Sequence, residues 1–479
     1  MADSSARKIR PAAMHASPQE QRLYVFDMAV LALSCLLRLY FWWRMPYHAS
    51  LHDLGRLGGW VSGDLGEGHL GYIQYFYRFH ALPDFDPTTV PCFYNPPLYH
   101  IVVALLMGLL RPFGVLPEPA LKCATFVSLV CACVLVAACR LILRELPLCG
   151  AVRSAAFAFL AFFPAFYWLS FTATNDAMCM MFVVLSVLFT LRWYRIPLPK
   201  ANASAEKLPV YRRKNLLALL PVALSVGLGM AAKLSAVLIA PAIAAVFVAK
   251  LWQARKRQWK QLILPFAVFG AVSLPLGLAS PVRNLVRFAV PLNYVPGTHT
   301  PDEFPAGIRA AGRLLFPSFA QMSHSHLQWG EFAFTTNIWA QTIKSSLFDE
   351  SFISDASASV HAVMVLLTYL ALFLAAVALA LFVYFLVSKN AAPLWQKLLL
   401  GGGYAVMLLS YLRFCYLFPH PWTPSFRYIL AAFVLCIVGA ACALSALCAD
   451  KKRRWLWAGT CAAFGIFDLA ATGLYLFFL

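Results

Sequence analysis

Acidic and imidazole side chains gather in one polar stretch of this chain, where His52-Asp53 is followed by Gly63-Asp64-Leu65-Gly66-Glu67-Gly68-His69. In a partly dry site Asp53, Asp64 or Glu67 can act as a general base towards a hydroxyl. The glycines would let a backbone come close to a ligand. The plain alternative is a solvated, Gly-rich loop. The stretch ends in Phe93-Tyr94-Asn95-Pro96-Pro97-Leu98-Tyr99-His100. A helix started by proline accounts for the two prolines, but not for Asn95 and Tyr99 beside them, so both are candidate substrate contacts with His52 and His69.

Four other places offer charge. Asn175-Asp176 precedes an apolar run, where an acid also serves as an ordinary cap. Lys233 lies between two apolar runs, and a lysine at such a place is expensive unless paired. Arg283-Asn284 follows another run, and Arg427-Tyr428 opens a later one. Guanidinium forks and an ammonium suit a phosphate; singly, each reads as headgroup binding or snorkelling. Ser323-His324-Ser325-His326 has only Glu331 near it, too few ligands for a metal site.

The elements that must position these residues are membrane helices. Of 479 residues 61% are hydrophobic and 12% charged, with the apolar ones in uninterrupted blocks long enough to span hydrocarbon. The net charge of +19 would suggest nucleic acid in a soluble protein, but the basic residues occupy short tracts between apolar blocks, as the positive-inside rule predicts. Nucleic acid is excluded as a partner; membrane lipids are expected. Most of the 13 cysteines lie in apolar blocks, where they act as small hydrophobes.

The expected fold is an all-α polytopic membrane protein of about 11–13 transmembrane helices with two large extracytoplasmic loops. Residues 1–22 form a cytoplasmic tail, 23–290 a membrane module containing loop 45–96, 280–358 a large external loop, and 359–479 the C-terminal helices. The run 23–44 reads as a retained signal-anchor, and 69–80 as an amphipathic helix at the interface. Block 98–111 breaks the parity: an even number of crossings is needed before Arg140, and three apolar blocks precede it. It is either re-entrant, or residues 140–153 lie outside.

The order of these features resembles the GT-C superfamily of membrane glycosyltransferases, in particular family 39-like members such as protein O-mannosyltransferases and aminoarabinose transferases. The residues that carry the resemblance are His52-Asp53 or Gly63–His69, Ala81-Leu82-Pro83-Asp84, Tyr94–Tyr99, Asn175-Asp176, Lys233, Arg283-Asn284 and Arg427-Tyr428. The adjacent Asp-Glu pair frequent in that family is absent from the first loop, which leaves the base open between Asp53, Asp64 and Glu67. Asp53 is favoured as the earliest after the first helix. The resemblance implies inverting sugar transfer from a polyprenyl-phosphate donor to a hydroxyl of a lipid, glycan or protein, with no cofactor and no obligatory metal, in a bacterial plasma membrane with the active face outside. A secondary transporter, or an enzyme of the O-antigen ligase or polymerase type, is the competing reading.

Overall fold

A backbone crossing hydrocarbon must satisfy its own polar groups, so long apolar blocks become helices. The computed structural model describes residues 17–49, 53–60, 64–199, 207–254, 256–292, 294–295, 312–324, 336–349, 357–419, 423–448 and 454–478. In chain order the main helices are α1 (Pro18–Arg44), α2 (Gly68–Phe79), α3 (Leu98–Leu110), α4 (Lys122–Glu145), α5 (Gly150–Phe162), α6 (Asp176–Tyr194) and α7 (Lys207–Ala232). They continue with α8 (Ala240–Gln253), α9 (Lys260–Phe288), α10 (Ile338–Phe348), α11 (Ala358–Val387), α12 (Leu394–Leu417), α13 (Leu430–Leu447) and α14 (Arg454–Phe478). Among the described residues ten helical stretches are long and apolar enough to span a membrane. An eleventh is the bent pair Gly150–Phe162 and Ala165–Phe171. The chain is an all-α polytopic membrane protein.

Three contacts orient the bundle. The Lys122 ammonium donates to the carbonyls of Trp42 (2.6 Å) and Met45 at the end of α1. At the other end Arg140 of α4 lies 3.9 Å from Asp27 of α1, both buried. So α1 and α4 run antiparallel, from a basic face to the face that carries residues 45–97, called here the loop face. Asp27, inside an apolar run, is thus answered by Arg140 within the protein. On the basic face Glu145 is clamped by Arg192 (2.8 Å) and Arg195.

The same contacts remove the parity conflict. Helix α3 has 13 residues, about 20 Å at 1.5 Å per residue, too short for a core of about 30 Å. The Tyr99 hydroxyl at its start donates to the Ala124 carbonyl (3.0 Å) near the loop-face end of α4. Its last residue lies only twelve positions before Lys122, at that same end. Thus α3 leaves the loop face and returns to it, and α1 and α4 make the even number of crossings.

Where α5 breaks at Phe163-Pro164, proline removes a backbone donor. The Arg38 guanidinium, wholly buried, reaches across from α1 to the Ala161 carbonyl (2.8 Å). A cation at a helix C-terminus is favoured by the dipole. The span bends by 55° there and delivers Asn175-Asp176 to the loop face.

Two expectations change. Helix α2 is not an interfacial helix: Gly68 to Phe76 are all buried within the protein. Its aromatics pack on the loop instead, Tyr72 stacking on Phe93 at 4.5 Å and Tyr75 lying 5.9 Å from Phe85. Helix α9 continues to Phe288 through three internal prolines, so Arg283-Asn284 belongs to a helix, not to the start of the second loop.

Candidate active site at the loop face

The first loop is held by backbone pairing. Arg56 and Glu67 exchange N–H···O bonds of 3.1 and 2.9 Å, and the His69 and Leu70 amides donate to the Asp53 and Leu54 carbonyls at 2.9 and 3.0 Å. Both Gly55 (φ +70) and Gly68 (φ +71) are left-handed, and a Cβ on Gly55 would stand 1.9 Å from the Glu67 carbonyl oxygen. The glycines therefore serve a backbone-to-backbone approach, not the approach of a ligand. Pairing also fixes Asp53 at φ 45°, a conformation non-glycine residues adopt rarely, and Cys92 Sγ lies 3.6 Å from its carbonyl. Cys92 is a free, buried thiol.

From that position the Asp53 carboxylate meets Arg427 at 3.0 Å, with half of the Asp53 side chain exposed (52%) and Arg427 almost wholly covered (3%). The other arm of Arg427 lies 3.6 Å from Asp176, whose second oxygen accepts from Lys233 at 2.5 Å. Four charges from three distant segments and the first loop thus form one chain, Asp53–Arg427–Asp176–Lys233. Tyr428 backs it: its ring lies 5.0 Å from the Lys233 ammonium and 4.7 Å from the Arg427 guanidinium, and its hydroxyl accepts from Arg427 at 2.8 Å. Such cation–π contacts strengthen when desolvated.

Each cation is placed by local structure. Lys233 sits in extended backbone (φ −156°, ψ 127°) at the break between α7 and the turn Leu234–Ile239, and its ammonium reaches Asp176. Asn175 donates to the Ala232 carbonyl (2.9 Å), tying the start of α6 to that break. Arg427 lies in the short turn Phe426–Tyr428, and the Phe426 amide donates to Ser345 Oγ of α10 at 3.0 Å. A piece of the second loop, α10, is therefore buried directly behind Arg427.

The remaining candidates separate. Asp64 and Glu67 face Arg56 at 3.5 and 3.4 Å on the exposed rim. Asn95 is buried and donates to the Cys92 carbonyl (3.1 Å), closing its own turn. Tyr99 is fully buried against α4. Arg283 bonds the Pro83 carbonyl and, at 3.2 Å, its neighbour Asn284, so it staples the first loop to α9. Arg283→Met is expected to leave the charge chain intact but loosen residues 80–90 by about 1–2 kcal/mol; faster limited proteolysis there is the check. His52 and His326 lie outside the described residues. Among those described, His324 included, no group of three or more His, Cys, Asp or Glu side chains could hold a metal.

His69 is buried (2%) and its Nδ1 lies 2.9 Å from Nε2 of the equally buried His100. Burial pushes the His69 imidazole down to about 4, against the pull of Asp53 and Asp176 and with the push of Lys233 and Arg427. Since the folded protein favours neutral His69, protonation favours the unfolded chain, and stability falls as pH drops from about 6.5 to about 4. The loss should reach about 2 kcal/mol by pH 5; thermal unfolding in detergent against pH checks it, and His69→Gln should flatten the profile. In the sequence His100 stands in the polar-aromatic cluster that ends the first loop, whereas Ser345 carries no mark that separates it from other helix residues.

Two solved structures resemble this fold in outline. The archaeal oligosaccharyltransferase AglB from Archaeoglobus fulgidus, in complex with an inhibitory peptide and a dolichol-phosphate, is 14% identical with a TM-score of 0.49, over 93% of this chain and 55% of that one. ArnT from Cupriavidus metallidurans in the apo state is also 14% identical, with a TM-score of 0.38, over 92% of this chain and 78% of that one. The chain therefore spans little more than half the length of AglB. The sequence matches no family model and no curated protein.

Proposed function

We propose that this chain is a GT-C-type glycosyltransferase that moves a sugar from a polyprenyl-phosphate donor to a hydroxyl of a lipid, glycan or protein at the loop face. The observation that carries the reading is the chain Asp53–Arg427–Asp176–Lys233, covered except at the half-exposed Asp53 side chain. Asp53 is the one member of it with half its side chain exposed, so it is the carboxylate an acceptor hydroxyl can reach. Asp176, covered and bound between two cations, is suited to holding them in place.

The charge balance fits the chemistry. Two cations and two carboxylates sum to zero in the free protein. When Asp53 takes the acceptor's proton, Lys233 and Arg427 outweigh Asp176 by one positive charge. That charge is present where the departing lipid phosphate gains negative charge, and a preorganised cation there favours the transition state. The acceptor oxygen forms its bond to the anomeric carbon as the bond to phosphate oxygen breaks on the opposite side, which inverts the centre. Because fixed cations meet the phosphate, the reaction should proceed without a divalent metal, and initial rates should change less than about twofold in EDTA.

The purified full chain, incubated in detergent with polyprenyl-phosphate sugars labelled in the sugar, should release polyprenyl phosphate and label a hydroxyl acceptor with inverted configuration. Movement of the intact sugar across proteoliposomes without cleavage would establish a transporter in its place. Cleavage with retention would remove the direct-displacement mechanism.

A further inference from the structure

Sugar transfer by the charge chain has no step at His69, and His100 is outside the chain altogether. Yet the pair is built with care. The rings are nearly parallel (11°) at 5.2 Å between centroids, joined by the 2.9 Å Nδ1···Nε2 contact, and the Tyr72 ring closes over His100 at 4.4 Å. The electrostatic neighbours of His69 are Asp53, Asp176, Lys233 and Arg427, all four members of the chain.

We infer that His100 is a positioning residue that fixes the tautomer of His69, so that the free Nε2 of His69, whose backbone is hydrogen-bonded to Asp53, bears a proton and not a lone pair. The inference rests on the proposed function only for what that N–H would meet. One proton occupies the contact, and two arrangements are open. If His69 Nδ1 donates, His100 must carry its own proton on Nδ1, an atom that is buried and has no partner among the described residues. If His100 Nε2 donates, the same atom holds only a lone pair. Unpartnered buried N–H groups are rare in folded proteins, and unanswered lone pairs less so. The second arrangement is therefore the stable one. In a neutral imidazole the hydrogen bond at one nitrogen decides what the other presents, so His69 Nε2 bears the proton.

Two consequences follow for the site. A neutral imidazole whose free nitrogen is already protonated cannot take a proton from the acceptor, which leaves that task to Asp53. Its Nε2–H is also a donor for an anionic oxygen, either a carboxylate of the chain or a phosphate oxygen of the donor.

The full chain, with its 11 histidines labelled with 15N and His69 assigned by His69→Gln, is to be recorded in detergent at neutral pH with long-range 15N–1H correlation. The expected spectrum has His69 Nε2 in the protonated range and Nδ1 in the unprotonated range; the reverse assignment overturns the inference. His100→Phe keeps the ring and removes the donor. It should mix the two His69 tautomers and lower sugar transfer roughly 10- to 100-fold, the size of one hydrogen bond to a charged group. His100→Gln retains an N–H donor and should restore both towards the parent. An unmixed His69 spectrum in folded His100→Phe would also overturn it. If His100→Phe does not fold, the parent spectrum still decides. A protein with the expected spectrum but no sugar transfer would overturn the proposed function and leave the tautomer assignment standing. Addition of inorganic phosphate separates the two oxygens: a shift of the His69 Nε2 signal assigns the N–H to phosphate, and its absence assigns it to a carboxylate.

Discussion

Asp176→Ala is expected to lose about 3–5 kcal/mol of stability and all measurable sugar transfer. The carboxylate is 1% exposed and answers Lys233 at 2.5 Å and Arg427 at 3.6 Å. Without it Lys233 loses its carboxylate and repels Arg427, which keeps Asp53, and removing one partner of a buried ion pair has about that cost. The measurement is thermal or denaturant unfolding in detergent, beside initial rates. A second variant separates folding from chemistry. Asp176→Leu combined with Lys233→Met removes one charge of each sign and fills the space with apolar groups, which is often neutral for stability. That protein should recover most of the lost stability and remain inactive. Full activity in it would show that Lys233 and Asp176 do not serve the reaction.

Asp53→Asn is expected to lower turnover by about 10²- to 10⁴-fold, the usual contribution of a general base, while leaving the fold unchanged. Asparagine is the informative replacement because it tolerates the left-handed backbone that Asp53 adopts at φ 45°. Alanine there would add backbone strain to the lost carboxylate. The side chain is half exposed, so its loss should alter unfolding little. Asp64→Asn and Glu67→Gln, whose carboxylates meet Arg56 on the rim, should stay within about threefold of the parent. Initial rates with a labelled polyprenyl-phosphate sugar distinguish the three, and an Asp53→Asn protein that transfers at the parental rate would end the general-base assignment.

Much of this arrangement can be read from the sequence. Uninterrupted apolar blocks and the basic tracts between them fix the class and roughly how many helices cross, because hydrocarbon forces a spanning backbone to satisfy its own polar groups. The same reading puts Asp176, Lys233 and Arg427 at one face, since each sits where an apolar block begins or ends. A charge at a helix end in a membrane protein is conspicuous on composition alone.

Which of these ends come together is a different matter, because it depends on how helices pack and not on any local pattern. Arg283 looks the equal of Arg427 in sequence, yet α9 carries it to Pro83, away from the charge chain. Asp64 and Glu67 look as able as Asp53, yet the pairing of residues 53–56 with 67–70 turns them towards Arg56 and turns Asp53 towards Arg427. The aromatic period of α2 is the same for a helix at a lipid surface and one buried under a loop; only Phe93 and Phe85, brought back by residues 80–97, decide for burial. Block 98–111 is apolar enough for a span, and only the return of the chain to Lys122 at the loop face shows that it is not one. Sequence alone thus determined a membrane bundle with its charges at helix ends. The tertiary structure alone decided which four charges touch, because pairing between segments from 57 to several hundred residues apart leaves no periodicity in either.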